Sequence, residues 1–298
     1  MTPPKLGPLD AAGLDMLLSW AQAEGWSPGL NDGPCFFAAD PEGFFGAWVH
    51  DEMVGGVAAV RYGANYGFIG LLIVKPSFRG GDIDPRLFQL ALEHLGDRTI
   101  GLDSVLSQES HYQRLFGFAK AHGQVRYLGK AGSMQWASET SAKRETVTVV
   151  DLAKLPDGVV QSFDSLYFPG PRASFLRSWI HAPRHLGKAL LHSQLVLGHE
   201  VKTLIGYGVL RPTPMGQKIG PLFAKSAEIA QILVESLVAG LAEEDPVLWD
   251  LPKPNQVACR LADNFGMKPV FETVRMYKGE VPSIAPETVF GITTFELG

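Results

Sequence analysis

The chain has 298 residues, enough for two ordinary domains that each bury a core of their own. With 46% apolar and 19% charged residues its composition is globular, and a formal charge of -5 without a long basic run argues against nucleic acid or an anionic membrane as the main partner. Cys35 and Cys259 are too few and too far apart for a disulfide framework or a zinc site. The opening Met1-Thr2-Pro3-Pro4-Lys5 lacks the apolar core of a signal peptide, and no apolar run approaches the ~20 residues that cross a bilayer. A cytoplasmic protein is expected.

Residues 9–23 read as a helix with Leu14, Leu17, Leu18 and Ala21 on one face and Gly25 at its end. The turn-rich stretch 25–34 follows and carries Trp26 and Asp32. Residues 44–50 and 53–61 read as two strands joined by a tight hairpin at Asp51-Glu52. Residues 66–74 (Tyr-Gly-Phe-Ile-Gly-Leu-Leu-Ile-Val) form a continuous apolar run, as a buried strand should. The loop 75–85 then interrupts it with two prolines and Gly80-Gly81. Asp84 followed by Pro85 is a good helix start, and Ile83, Leu87, Leu90, Ala91 and Leu95 give the helix an apolar stripe. A short strand ending at Asp103, a helix over 107–116 stopped by Gly117, and a closing strand over 118–128 complete the first half.

Small and polar residues over 129–142 suggest a linker, which places one domain at 1–130 and a second at 143–298. Landmarks of the first half recur about 150 residues later. Gly-Val-Ala-Ala-Val-Arg at 56–61 answers Gly-Tyr-Gly-Val-Leu-Arg at 206–211, and Gly70-Leu71-Leu72 answers Gly220-Pro221-Leu222. Phe116-Gly117-Phe118 and Tyr127-Leu128-Gly129 find Phe265-Gly266-Met267 and Tyr277-Lys278-Gly279 in the same way. The apolar segment 286–298, with Phe290 and Phe295, should dock on the rest of the protein.

A glycine loop entering a helix is a place to bind phosphate, because free amides and the positive end of the helix dipole point outward together. On these residues the chain resembles the GNAT family of acyl-CoA N-acyltransferases. Their signature, an Arg or Gln, two residues, a Gly, one residue, then Gly or Ala, holds the CoA pyrophosphate between the fourth strand and the third helix. Arg79 matches its first position, while Asp82 and Asp84 stand at the two small positions. Each carboxylate near a diphosphate charge at ~4 Å costs about 1 kcal/mol in water, and several-fold more near a protein surface. The resemblance covers nearly the full chain. It implies an α/β (α+β) fold of two GNAT-like domains in tandem, each a mixed, mostly antiparallel sheet flanked by helices.

The resemblance also implies acetyl-CoA as acyl donor, an amine of a small molecule or peptide as acceptor, and direct attack without a covalent enzyme intermediate. Leu72, Ile73 and Val74 would offer backbone groups to the donor, with Arg79, Gly80, Gly81, Asp82, Ile83 and Asp84 around the phosphates. Trp26 and Asp32, after the first helix, are placed at the acceptor site. Asp103, at a strand end beside the expected cleft, is a candidate base, equally readable as a cap of the next helix. Tyr112, five residues before Gly117, is the candidate acid for the departing thiolate. The second half turns from strand to helix through Lys225 and Ser226 without glycine, so it is not expected to wrap a diphosphate. That half would complete the acceptor pocket or pair with the first sheet.

Other constellations fail. No Gly-x-Ser-x-Gly elbow is present, Pro183 breaks the helix that His181 and His185 would need as a metal pair, and Gly206-x-Gly208 lacks the third glycine of a dinucleotide fingerprint. No metal is expected. A catalytically silent tandem GNAT-type binding protein is the alternative reading, with Asp82 and Asp84 in its favour, and a homodimer is open.

Overall fold

The computed structural model describes residues 3–134 and 147–298. The first half runs β1 (Lys5–Pro8), α1 (Ala11–Ala23), α2 (Asp32–Ala39), β2 (Phe44–Val49), β3 (Glu52–Tyr62), β4 (Tyr66–Val74), α3 (Ile83–Leu95), β5 (Thr99–Val105), α4 (Glu109–Phe116) and β6 (Ala119–Lys130). The second half repeats this order: β7 (Val147–Asp151), α5 (Asp157–Asp164), α6 (Ala173–His181), β8 (Leu186–Val196), β9 (His199–Thr213), β10 (Gly216–Ala224), α7 (Ala227–Val238), β11 (Pro246–Pro252), α8 (Gln256–Asn264) and β12 (Lys268–Lys278). A short β13 (Val289–Gly291) follows.

Local chemistry accounts for the main boundaries. Asp10 caps α1 by accepting from the Gly13 amide at 2.8 Å, and the hairpin between β2 and β3 turns on His50 and Asp51, both with positive φ. The helix α3 begins at Ile83, earlier than the Asp84-Pro85 signal suggests. Pro85 then falls inside the first turn, where its missing N–H costs no helical bond. The helix α2 lies in a stretch that reads as turns because of Asn31, Gly33 and Pro34; it forms because Cys35 and Phe36 bury one side of it. Of the expected linker, residues up to Met134 are ordered, with Ala131 and Met134 buried, and 135–142 lie outside the described residues.

The strands form one sheet in the order β1-β2-β3-β4-β5-β12-β6-β11-β10-β9-β8-β7, with β13 paired to β10. Exchanging each strand for its repeat counterpart reverses this list onto itself, so the halves are related by a pseudo-twofold axis. The closing strands are exchanged across that axis. The second half's β12 lies against β5, and the first half's β6 lies against β11. Each half is therefore completed by the other.

Alternate residues of β4 feed opposite faces. Phe68 joins a core shared by α1, α2, α5 and α6 of both halves, whereas Ile69 packs under α3. On the second half, α7 and α8 cover their own cluster around Trp249. Burying each large apolar side chain here contributes roughly 1.5–3 kcal/mol. Ion pairs tie the exchanged strands: Arg126 on β6 donates to both oxygens of Asp250 on β11 at 2.7 and 2.8 Å, and Arg275 on β12 does the same to Asp103 on β5.

Candidate active site

The strands β4 and β5 run parallel, paired from Tyr66 with Thr99 to Ile69 with Leu102. Beyond that point they part. On its other side β4 bulges: Gly70 faces Ala58 and Ile73 faces Gly56, so Leu71 and Leu72 together oppose Val57, with Leu71 at φ +51°. The bulge turns the strand away from β5 and opens a cleft of about 290 Å³. The backbone of residues 70–74 forms one wall without a strand partner on the β5 side among the described residues, leaving polar backbone groups for a ligand.

At one end the cleft meets the loop into α3. Gly80 has φ +79°, and a Cβ there would meet nothing within 4 Å, so its backbone is open to approach. Arg79 lines the cleft; its Nε donates to the Val74 carbonyl at 2.8 Å and its guanidinium pairs with Glu24. The carboxylates expected to repel a diphosphate are partly answered. Asp82 lies 3.5 Å from Arg86 along the helix, and burial raises the pKa of Asp84 despite Arg79 and His111, easing it toward the neutral form.

Tyr112 lines the cleft, half-buried against Phe88 at 5.2 Å between ring centroids. Burial, with help from Asp84, pushes its pKa up to about 12, so its hydroxyl holds its proton at any working pH. Asp103 also lines the cleft, but both of its oxygens are taken by Arg275, and one also accepts from Gln124 at 2.6 Å. Three charge-assisted bonds hold this carboxylate in one orientation. The partner comes from the exchanged β12, which no local signal reveals.

The cleft is also lined by Trp26, Phe271, Thr273, Phe295 and Glu296. Trp26 is among them, its carbonyl accepting from Arg126 at 2.7 Å. Asp32, expected beside it, does not line the cleft. It is fully buried, accepts from Arg211 Nε at 3.1 Å and from the Gly29 amide at 2.7 Å, and joins α2 to the second half. The four other residues come from β12 and from the segment after β13, and sequence reasoning misses them as site residues. The apolar character of 286–298 is the one signal for Phe295 and Glu296, and residues 289–298 are all buried.

The second half keeps the bulge and loses the cleft. Gly220 and Pro221 oppose Val209 alone, as Leu71 and Leu72 oppose Val57. Here β13 pairs with β10, and the Ile292 amide donates to the Asp250 carbonyl at 3.0 Å, so the segment occupies the opening between β10 and β11. A hollow of about 50 Å³ remains. The turn into α7 is short, with the Ser226 hydroxyl, not a glycine loop, accepting from the Ile229 amide.

Residues 14–123 match the Acetyltransferase (GNAT) family, and residues 160–291 match an Acetyltransferase (GNAT) domain. The chain belongs to the GNAT family, in its tandem form. As a GNAT protein it is a transferase, and its fold implies binding of an acyl-CoA together with an amine acceptor. It is 28% identical to the holothin acyltransferase of Pseudoalteromonas sp. (strain SANK 73390), over 94% of this chain and 89% of that one. Its fold is similar to a candidate acetyltransferase from Pyrococcus horikoshii (TM-score 0.78, 21% identity, 100% and 97% of the two chains). It is also similar to a tandem GNAT protein from the clavulanic acid biosynthesis pathway (TM-score 0.62, 14% identity, 94% and 99%). Among the described residues no group of three or more His, Cys, Asp or Glu gathers in a way that could hold a metal ion, and no helix is long and apolar enough to cross a membrane.

Proposed function

We propose that this GNAT protein moves an acetyl group from acetyl-CoA to a primary amine in the first-half cleft, by direct attack and without a covalent enzyme intermediate. The observation that carries this is the asymmetry of the repeat. One bulge opens on free backbone and a permissive glycine loop, and its counterpart is filled by the protein's own segment. The thioester supplies an activated carbonyl. The backbone of Leu72, Ile73 and Val74 would orient the donor arm, while Arg79, Gly80, Gly81 and the start of α3 from Asp82 to Asp84 would face its phosphates.

Tyr112 holds the proton that the departing sulfur needs, within a pocket of Phe88, Phe116 and Phe118 that keeps water away. Asp103 acts as a positioning residue, fixing Arg275 and with it the exchanged strand that carries Phe271 and Thr273. The acceptor enters past Trp26, Phe271 and Phe295, which suit a flat apolar body. The relative's name gives holothin as that protein's acceptor; for this chain the aromatic lining supports the broader class. The cytoplasm, where acyl-CoA thioesters are made, is the compartment this reading requires. Thiol release from acetyl-CoA, followed across a panel of aromatic and aliphatic primary amines, tests it: acetyl transfer faster with aromatic amines supports the reading, and no amine-dependent release contradicts it.

A further inference from the structure

Glu296 is the least satisfied charged group of the described structure. It lines the cleft, is 2% exposed, and neither carboxylate oxygen has a hydrogen-bond partner among the described residues. Of its cationic neighbours, two are paired with other carboxylates and the third bonds a backbone carbonyl. Arg126 is bound by Asp250, Arg211 by Asp32, and Lys218 donates to the Ser27 carbonyl at 2.5 Å. The surrounding ionisable groups are thus Lys218, Arg126, Asp32, Arg211 and Asp250, three cations against two anions, with Glu296 as the third anion. The Thr273 hydroxyl, also lining the cleft, is likewise unpaired.

Leaving a buried carboxylate without a donor is costly, and the fold spends conformational freedom to keep it there. Residue 70 is glycine, and a Cβ at that position would run into the Glu296 backbone. Lys218, without a carboxylate partner among the described residues, balances the charge of Glu296 but makes no hydrogen bond to it, so both carboxylate oxygens on the cleft are left without a donor.

Resting on the acetyl-transfer reading above, we infer that Glu296 receives the ammonium of the acceptor, so that the site selects a cationic primary amine on a flat apolar body and takes its first proton. The ammonium gives that proton to the carboxylate, and the freed lone pair forms the N–C bond. The C–S pair leaves with sulfur, which gains the second nitrogen proton through the Tyr112 hydroxyl, and the Glu296 proton passes to water at the end of the turnover. Trp26, Phe271 and Phe295 hold the body of the acceptor, and Thr273 adds a hydrogen bond.

The test uses the full chain, saturated with acetyl-CoA or CoA, and two probes of one shape: tryptamine and indole-3-ethanol. Binding is followed by calorimetry. Wild type is expected to hold tryptamine about tenfold or more tightly than the alcohol, the worth of one charge-assisted hydrogen bond. Glu296→Gln should erase the difference, lower kcat/KM for tryptamine by about a hundredfold and flatten the acid limb of its pH profile, with the acetyl-CoA affinity kept. Equal binding of the two indoles by wild type, including none, overturns the inference, as does a preference that survives in Glu296→Gln. The wild-type comparison stands if the variant fails to fold. Loss of acetyl-CoA binding itself would strike the donor site and the acetyl-transfer reading instead.

Discussion

Gly70 and Glu296 meet backbone to backbone at the point where the bulged strand of the first half touches the segment that fills the second. The contact joins the open cleft to the closed one, so the segment that fills one opening also lines the other. Gly70→Ala should force the two backbones apart. Overpacking of this kind costs about 1–3 kcal/mol, and because this contact is with backbone the upper part of that range is expected. A lowered Tm with a raised KM for the amine and a nearly constant acetyl-CoA affinity is the expected result; an unchanged Tm would show that the contact is slack.

Tyr112→Phe keeps the ring against Phe88 and Phe116 and removes only the proton. We expect kcat to fall by about a hundredfold with KM for acetyl-CoA within a few-fold of wild type. Because burial holds the phenol up to about 12, wild type should show no basic limb from this group below about pH 11. Steady-state kinetics across pH decides this, and a phenylalanine variant with full kcat removes Tyr112 from the chemistry.

Asp103→Asn leaves Arg275 buried beside a neutral partner. Breaking a buried pair by removing one member costs about 3–5 kcal/mol, and here the strand exchange depends on it. Urea denaturation should record that loss, while the shape of the pH-rate profile stays that of wild type. A variant of wild-type stability with a lost acid limb would restore Asp103 as the base.

Burial raises the Glu296 carboxyl above its ordinary value, with Lys218 and Arg126 opposing. The folded state then binds the proton more tightly than the unfolded chain. Its contribution to stability is complete below the ordinary glutamate value and is lost as pH rises through the raised one. Relative to Glu296→Gln, wild type should be more stable at about pH 4 than at about pH 8, in denaturant titrations of both proteins. The same difference at both pH values would place the carboxyl in an ordinary environment.

What the sequence reveals of this site depends on how local each feature is. The strand 66–74, the loop with Arg79, and Tyr112 are spelled within one stretch of chain, and residues 69–74, Arg79 and Tyr112 all line the cleft. The repeat was visible because β3, β4 and the turn before β6 kept their glycines. The exchange of β6 and β12 was not, since pairing β12 with β5 instead of β11 changes no residue pattern within either strand. Both Asp103 and Asp32 look free in sequence, and both meet arginines of the second half, Asp103 through the exchanged β12 and Asp32 through Arg211 of β9. Glu296 sits in an apolar segment whose need to be buried is legible, but its place in a cleft formed by residues 69–74 is a property of the assembled sheet alone.

The central claim is one donor site per chain, in the first half. Calorimetric titration of the full chain with acetyl-CoA tests it most directly, beside Arg79→Ala and beside Ser226→Ala in the corresponding turn of the second half. We predict a stoichiometry of one, weakened about tenfold by Arg79→Ala and unaffected by Ser226→Ala. Two sites per chain, or binding that ignores Arg79 and responds to Ser226, would contradict the account.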